Sequence, residues 1–258
     1  MRRRDFIKVL AGSAVTWPLA ARAQQTDQVR RVGVLMNVAP EHPEGQLFVS
    51  AFRQALQRLG WTEGRNIRID IRWGENEVER DRKYAAELVA LTPDVVLAAG
   101  TLSVTALQRV SRTLPIVFVD VSDPVGAGLV ERMDRPGGST TGFMIFEYSL
   151  SAKWIELLKQ VAPNVRRAAV IRNAANPAGI AQFGAIRTTA SSLGVDVSPI
   201  DIRAMPATSN TPSQSLPARP NAGLVVTSSA AVSAHIDQII TLRGGTSCRQ
   251  STPIVLSL

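Results

Sequence analysis

Strand-like runs alternate with amphipathic helical segments along most of this sequence, and this alternation restricts the folds available to the chain. Runs typical of strands occur at residues 31–36, 67–71, 95–99, 115–119, 139–143, 168–171, 195–202 and 223–226. Apolar residues recur at helical spacing in the segments between them, at 44–59, 77–91, 102–112, 151–161, 178–193 and 230–242. Such alternation predicts parallel sheets with helices on both faces.

The alternation pauses near residues 136–150, which hold a Pro-Gly-Gly turn and a short strand. We therefore predict an α/β protein with two Rossmann-like lobes on parallel sheets. The first lobe would span residues 30–145 and the second residues 146–258. Lobes of this length are within the ordinary size range of domains.

The first 23 residues predict an export signal rather than part of the fold. Arg3 and Arg4 begin a twin-arginine pattern, an apolar stretch follows at 9–20, and a small-x-small cleavage site ends at Ala23. The apolar stretch is shorter than the about 20 residues that a membrane span needs. We expect removal after Ala23 and a periplasmic protein; the alternative is a basic amphipathic helix of a cytosolic protein.

The net charge and the counts of cysteine and histidine argue against several classes of function. The net charge is +8, of which the first 23 residues carry +4, and no basic cluster with interleaved aromatics is present. Nucleic acid is therefore not an expected partner. With one cysteine and two histidines, the sequence predicts no disulfide framework, no metal site, no cofactor and no catalytic cluster.

Ligands of open α/β sheets bind beyond the carboxyl ends of the strands. The residues that follow the predicted strands are small, polar and mostly uncharged, which suits hydrogen bonding to a small zwitterion or polar molecule. The wider set includes Ala39, Asp120, Arg172 and Ser229. We select ten candidate ligand-binding residues: Asn37, Gly100, Thr101, Ser103, Ser122, Asp123, Asn173, Asn176, Thr227 and Ser228.

Several of these residues have a second interpretation. Thr101 and Ser103 begin a predicted helix, whose free N–H groups favour a ligand carboxylate, but Ser and Thr are also ordinary helix caps. Asp123 precedes a proline, so it is either a ligand contact or a turn residue. The glycines at 126 and 128 lack the third glycine of a nucleotide-binding loop, which favours a flexible loop.

Five stretches together resemble one known family: residues 31–59, 94–101, 115–130, 135–143 and 173–177. The most specific are Asp-Pro-Val-Gly-Ala-Gly at 123–128 and Arg-Pro-Gly-Gly at 135–138. They resemble the ABC-transporter substrate-binding family related to tryptophan and tyrosine uptake receptors. The resemblance covers roughly residues 30–203 and 220–242. Many members carry Asn where this chain has Ala99 or Ser139, so contacts there differ.

The resemblance implies a type I periplasmic-binding-protein architecture, in which two lobes close around a ligand. It implies an extracytoplasmic solute receptor without enzymatic activity, which binds a small organic ligand, such as an amino acid, between the lobes. The implied partners are an ABC permease and its ATPase, with the membrane contacted only through the permease. Two alternatives are a periplasmic ligand-sensing module and a small-molecule α/β enzyme.

Two segments, 205–218 and 243–258, depart from the family pattern. Suitable codons for residues 209–218, read one base earlier, spell an amphipathic helix, and codons for 245–253 shifted likewise spell a helix exit and a strand. We hypothesise that both segments are frameshifted, which would leave the second lobe incomplete. The alternative is a genuine loop and a short natural tail.

Overall fold

The computed structural model describes residues 29–204, 221–227 and 254–256. Five parallel strands form the first sheet in the order β2-β1-β3-β4-β5. Their bounds are β1 Arg30–Met36, β2 Ile67–Trp73, β3 Val95–Ala99, β4 Ile116–Val121 and β5 Thr140–Met144. Three helices connect them: α1 Pro43–Arg58, α2 Val78–Ala90 and α3 Thr101–Val110.

A second parallel sheet has the order β7-β6-β8-β9 in the described residues. Its strands are β6 Arg167–Arg172, β7 Asp196–Asp201, β8 Ala222–Val226 and β9 Ile254–Leu256, and its helices are α4 Ser151–Val161 and α5 Pro177–Ser192. Short 3-10 helices lie at Tyr148–Leu150 and Ile202–Ala204. The predicted α/β class with two parallel sheets is confirmed.

Some predicted features fall where the chain is not described. Residues 1–23, residues 205–218, Ser228 and the helix predicted at 230–242 lie outside the described residues, as does most of 243–258. The exception in that last segment is β9, which pairs in parallel with β8 and which the sequence did not predict. A run of three apolar residues is too short for periodicity to identify as a strand.

Alternation along β1 divides the first lobe into two hydrophobic layers. Val34 and its neighbours at every second position pack with Val49 of α1, whereas Leu35 belongs to the layer formed with α2 and α3. Successive side chains of a strand point to opposite faces, so one buried strand supplies both layers. Phe118 of β4 is fully buried in the layer under α2 and α3.

The second lobe has its own core between α4, α5 and the sheet. Ile155, Leu158 and Ile186 are fully buried there, and the ring of Trp154 meets Phe146 edge-on with 5.7 Å between centroids. Phe146 follows the last strand of the first sheet by two residues, so the chain joins the second core as soon as it leaves the first.

No helix in the described ranges combines the length and the hydropathy that crossing a bilayer requires.

Strands β4 and β5 approach each other closely at Gly142. A Cβ atom at this position would collide with the backbone of Phe118 in β4, whereas one at Gly184 in α5 would meet nothing within 4 Å. We expect Gly142→Ala to destabilise the protein by about 1–3 kcal/mol because backbone must move. Gly184→Ala should stabilise it by about 0.5–1 kcal/mol, since alanine suits a helix interior.

Urea unfolding followed by circular dichroism measures both changes in the free energy of unfolding. Equal stability of Gly142→Ala and the wild type would contradict the close approach of β4 and β5.

Candidate functional site

A cavity of about 720 Å³ opens at the carboxyl ends of β1, β3 and β4 and extends to the start of α5 in the second lobe. We call it the cleft. Both lobes contribute to its wall, the second through Asn176 and Ala178. The polar members of the lining are Asn37, His42, Glu44, Asn76, Thr101, Asp120, Ser122 and Asn176.

Five of the ten residues selected from the sequence line the cleft: Asn37, Gly100, Thr101, Ser122 and Asn176. Ser103, Asp123, Asn173 and Thr227 are not in the lining, and Ser228 lies outside the described residues. Asp120, which belonged to the wider set of post-strand residues, does line the cleft.

Strand register explains why Asn37, Gly100 and Asp120 meet. Leu35 pairs with Ala98, and Ala99 pairs with Val119. When the same register is continued along the strands, Asn37 lies beside Gly100 and Gly100 beside Asp120, in one row across the sheet edge. Asn37 and Asp120 lie on either side of Gly100 in this row. The Asn37 Nδ2 atom donates a hydrogen bond to Asp120 Oδ2 over 2.7 Å, across the glycine between them.

Gly100 is required in the middle of that row. Its φ is 82°, in the left-handed region that disfavours residues with a side chain, and a Cβ atom there would lie 2.8 Å from Asn37 Nδ2. The backbone N–H of Gly100 donates to the Val119 carbonyl over 2.9 Å, which extends the β3–β4 pairing to the cleft. A glycine therefore leaves room for the Asn37–Asp120 contact.

Asp120 sits at an irregularity in β4. The pairing with β5 shifts register between Phe118 and Val121, and Asp120 adopts a left-handed φ of 55°. The residue is exposed to the cleft, yet the protein around its carboxyl removes enough water to raise its pKa. The hydrogen bond from Asn37 acts in the opposite direction and the charge of Glu44 adds to the rise.

Thr101 is the first residue of α3 and is buried against the cleft. Gly100, the N-cap, has no side chain, and no side-chain hydrogen bond caps this helix end. The first N–H groups of a helix lack intrahelical partners and carry the positive end of its dipole. An anionic group in the cleft would therefore find donors at the start of α3.

Ser103 points into the protein rather than into the cleft. Its hydroxyl donates to Asp81 Oδ1 over 2.9 Å, and both side chains are buried between α2 and α3. Burial raises the pKa of Asp81 to about 6, although the Ser103 hydrogen bond lowers it. The sequence could not distinguish this arrangement from a ligand contact, because both use a serine in the first turn of α3.

Asp123 forms a turn that also ties the two lobes together. One carboxylate oxygen accepts from the Gly126 backbone N–H over 2.7 Å and the other from the Tyr148 N–H over 3.2 Å. The Asp123 N–H donates to the Phe146 carbonyl over 2.8 Å. Of the two interpretations open from sequence, this geometry is that of the turn.

The candidate residues of the second lobe form hydrogen bonds with the backbone at the ends of strands and helices. Asn176 caps α5, where its Oδ1 accepts from the Ala178 N–H over 3.0 Å, and it lines the cleft as well. Asn173 Oδ1 accepts from the Ala175 N–H over 3.0 Å, and the Thr227 hydroxyl donates to the Ile171 carbonyl over 2.9 Å.

The apolar part of the cleft was missed by sequence analysis. Phe48, Phe143 and Ile145 line it and are 51%, 74% and 49% exposed. Helical spacing assigned Phe48 to the core-facing stripe of α1, but periodicity cannot tell a core from a cavity. Leu97 and Val117, on the same sheet face, are only half-buried.

Residues 31–241 match the family described as ABC transporter substrate binding protein. The chain belongs to this family. The family is one of solute-binding proteins and not of enzymes.

Individual relatives agree with that assignment. A tyrosine-binding protein of Clostridioides difficile is 30% identical over 150 residues, which are 58% of this substrate-binding protein and 43% of the relative. The match therefore spans less than half of that relative's length.

Two solved structures share the fold. An ABC domain from Streptococcus pneumoniae in complex with L-Trp has a TM-score of 0.69 and 20% identity, covering 89% of this chain and 74% of the other. A conserved domain protein from Vibrio cholerae has a TM-score of 0.64 and 19% identity, covering 90% of each chain. The predicted type I periplasmic-binding-protein architecture is confirmed.

Asp81 makes stability depend on pH. Its pKa is raised on folding, so the folded protein holds this proton more tightly than the unfolded chain, and stability falls as pH rises from about 4 to about 6. Asp81→Asn keeps an oxygen for Ser103 and removes the titration. We expect the variant to exceed the wild type at neutral pH by up to roughly 3 kcal/mol and to lose this pH dependence.

Urea unfolding across that pH window provides the measurement. Ser103→Ala is the matched control, since it keeps the carboxyl but removes a hydrogen bond that lowers its pKa, so its decline should extend to higher pH. An unchanged pH slope in Asp81→Asn would contradict the assignment.

Proposed function

We propose that this chain is the extracytoplasmic solute receptor of an ABC importer. It binds a small organic ligand, such as an amino acid, between its lobes and delivers it to a membrane permease with an ATPase subunit. The observation that carries the proposal is that one cleft collects polar groups from both lobes, Asn37, Thr101 and Asp120 from the first and Asn176 from the second. Family membership supports the same role.

The chemistry of the cleft suits a zwitterion with an apolar side chain. The uncapped start of α3 offers N–H donors to a carboxylate. Asn37 and Ser122 provide hydrogen-bonding groups nearby, and the apolar wall around Phe48 and Phe143 would take a side chain. A relative that is 30% identical carries the name tyrosine-binding protein, which favours an amino acid among possible ligands.

Ligand capture would proceed by closure of the lobes. Outside the peptide connections, Arg203 joins Glu77 across the lobes with 3.2 Å between nitrogen and oxygen. Both side chains are 45% exposed, so this ion pair adds little to stability and can break and reform as the cleft changes width. The export signal expected at residues 1–23 would deliver the receptor to the periplasm, where such capture takes place.

A thermal-shift screen with the standard amino acids and small carboxylates tests the proposal on the full chain. A ligand at hundredfold excess over Kd should stabilise the protein by about 2.7 kcal/mol. We expect at least one amino acid to raise Tm in a concentration-dependent manner. Absence of any saturable shift across the panel would contradict a solute-receptor role.

Gly100→Ala should weaken that ligand response. The new methyl group would displace Asn37 from Asp120, and the left-handed backbone would add about 1–2 kcal/mol of destabilisation. Gly128→Ala is the control, because Gly128 also has a positive φ of 70° but a Cβ atom there meets nothing within 4 Å.

Both variants should therefore have a lower Tm than the wild type. Only Gly100→Ala should also bind the ligand more weakly, with Kd raised tenfold or more. Equal affinity in the two variants would show that the Asn37–Asp120 row is not part of the binding site. Isothermal titration with the best amino acid of the screen gives the affinities.

A further inference from the structure

The charges that line the cleft have one sign. Among the described residues of its wall, Glu44 and Asp120 are acidic, His42 contributes an imidazole, and there is no lysine or arginine. A ligand whose only charge is a carboxylate would meet no basic side chain in this wall. A ligand with a protonated amine would meet two carboxylates.

Asp120 is the better placed of the two acids. It lies in the row formed with Asn37 and Gly100, at the carboxyl end of β4, whereas Glu44 lies in the first turn of α1, outside that row. Its Oδ2 accepts from Asn37 over 2.7 Å. No described residue donates a hydrogen bond to its Oδ1, and none of the ion pairs in the described part of the chain includes it.

The backbone conformation of Asp120 also favours a role in ligand binding. A left-handed φ of 55° is uncommon at a non-glycine residue, and such backbone conformations concentrate at ligand-binding sites. Here this conformation coincides with the register shift between Phe118 and Val121 that interrupts β4 beside the cleft.

We infer that Asp120 is the specificity-determining residue of the cleft and selects ligands that carry a protonated amine, which donates to its Oδ1. The inference rests on the proposed receptor function and names the ligand group that the site recognises. An amino acid would place its ammonium on Asp120 and its carboxylate at the start of α3. The same acid without the amine would leave the Asp120 carboxylate unpaired beside the carboxylate of the ligand.

The carboxyl of Asp120 is partly desolvated. The protein around Asp120 that raises the pKa of its carboxyl also weakens the screening of its charge once the carboxyl is ionised. Attraction for a cation and repulsion of an anion are both stronger there than in water. Hydrogen bonds to charged groups contribute about 1.5–3 kcal/mol, which corresponds to about tenfold to a hundredfold in affinity.

Asp120→Asn isolates the charge. Asparagine also tolerates a left-handed backbone, and its side-chain oxygen can still accept from Asn37, so the row should persist. Glu44→Gln is the matched control, because it removes the other carboxylate of the same cleft without touching Asn37. Thermal melting of each full-length variant verifies that it is folded.

The probes form two matched sets. Each set contains an amino acid, the corresponding amine without the carboxylate, and the corresponding acid without the amine. The aromatic set is L-tyrosine, tyramine and 3-(4-hydroxyphenyl)propionate, and the aliphatic set is L-leucine, isopentylamine and 4-methylpentanoate. Isothermal titration gives Kd for each probe with the wild type, Asp120→Asn and Glu44→Gln.

We expect the wild type to bind an amine-bearing probe at least tenfold more tightly than its deaminated acid. Asp120→Asn should weaken the amine-bearing probe by tenfold to a hundredfold and bind the deaminated acid equally or better. Glu44→Gln removes the other carboxylate of the cleft and should change the ratio by less than Asp120→Asn does. A wild type that prefers the deaminated acids, or an unchanged ratio in Asp120→Asn, overturns the inference and leaves the receptor function standing. Binding of no probe at all counts against the receptor function, and the inference falls with it.

Discussion

Parallel pairing of β1, β3 and β4 is the constraint on which the cleft depends. Because the three strands run in one direction, their carboxyl ends finish at one edge of the sheet, and their register brings Asn37, Gly100 and Asp120 into one row. None of these residues needs a long side chain to reach its neighbour. The hydrogen-bond ladder that stabilises the first lobe thus also sets the spacing of the polar groups in the cleft.

Polar residues at strand ends divide into those that serve the fold and those that face the cleft. Ser103 and Thr227 are fully buried, and each donates to an oxygen of the protein, because a buried hydroxyl without a partner would be destabilising. Asp120 is exposed to the cleft, and Ser122, although buried, is part of its lining. Few polar side chains therefore remain to contact a ligand, and the charge and hydrogen-bonding capacity of each one affect which ligand is bound.

The sequence predicted the strand and helix order well because each element depends on local periodicity. It could not predict which polar residue would turn toward the cleft. Ser103 follows Thr101 by two residues in α3, yet the two face different surroundings because α2 supplies Asp81 on one side. Asp120 depends on a register shift between β4 and β5, and the exposure of Phe143 depends on which layer covers β5. These are tertiary properties, which propensity and spacing do not contain.

Asp123 also fastens the segment of chain that leads from the first lobe to the second. Its backbone N–H binds Phe146 and its carboxylate binds the Tyr148 N–H, so the first residues of the crossover are fastened to the first lobe. Any rotation that preserves these two bonds must take place in the backbone after Tyr148. The backbone left to rotate therefore lies directly before α4. A small change of its torsion angles would displace the far end of the second lobe by a large distance.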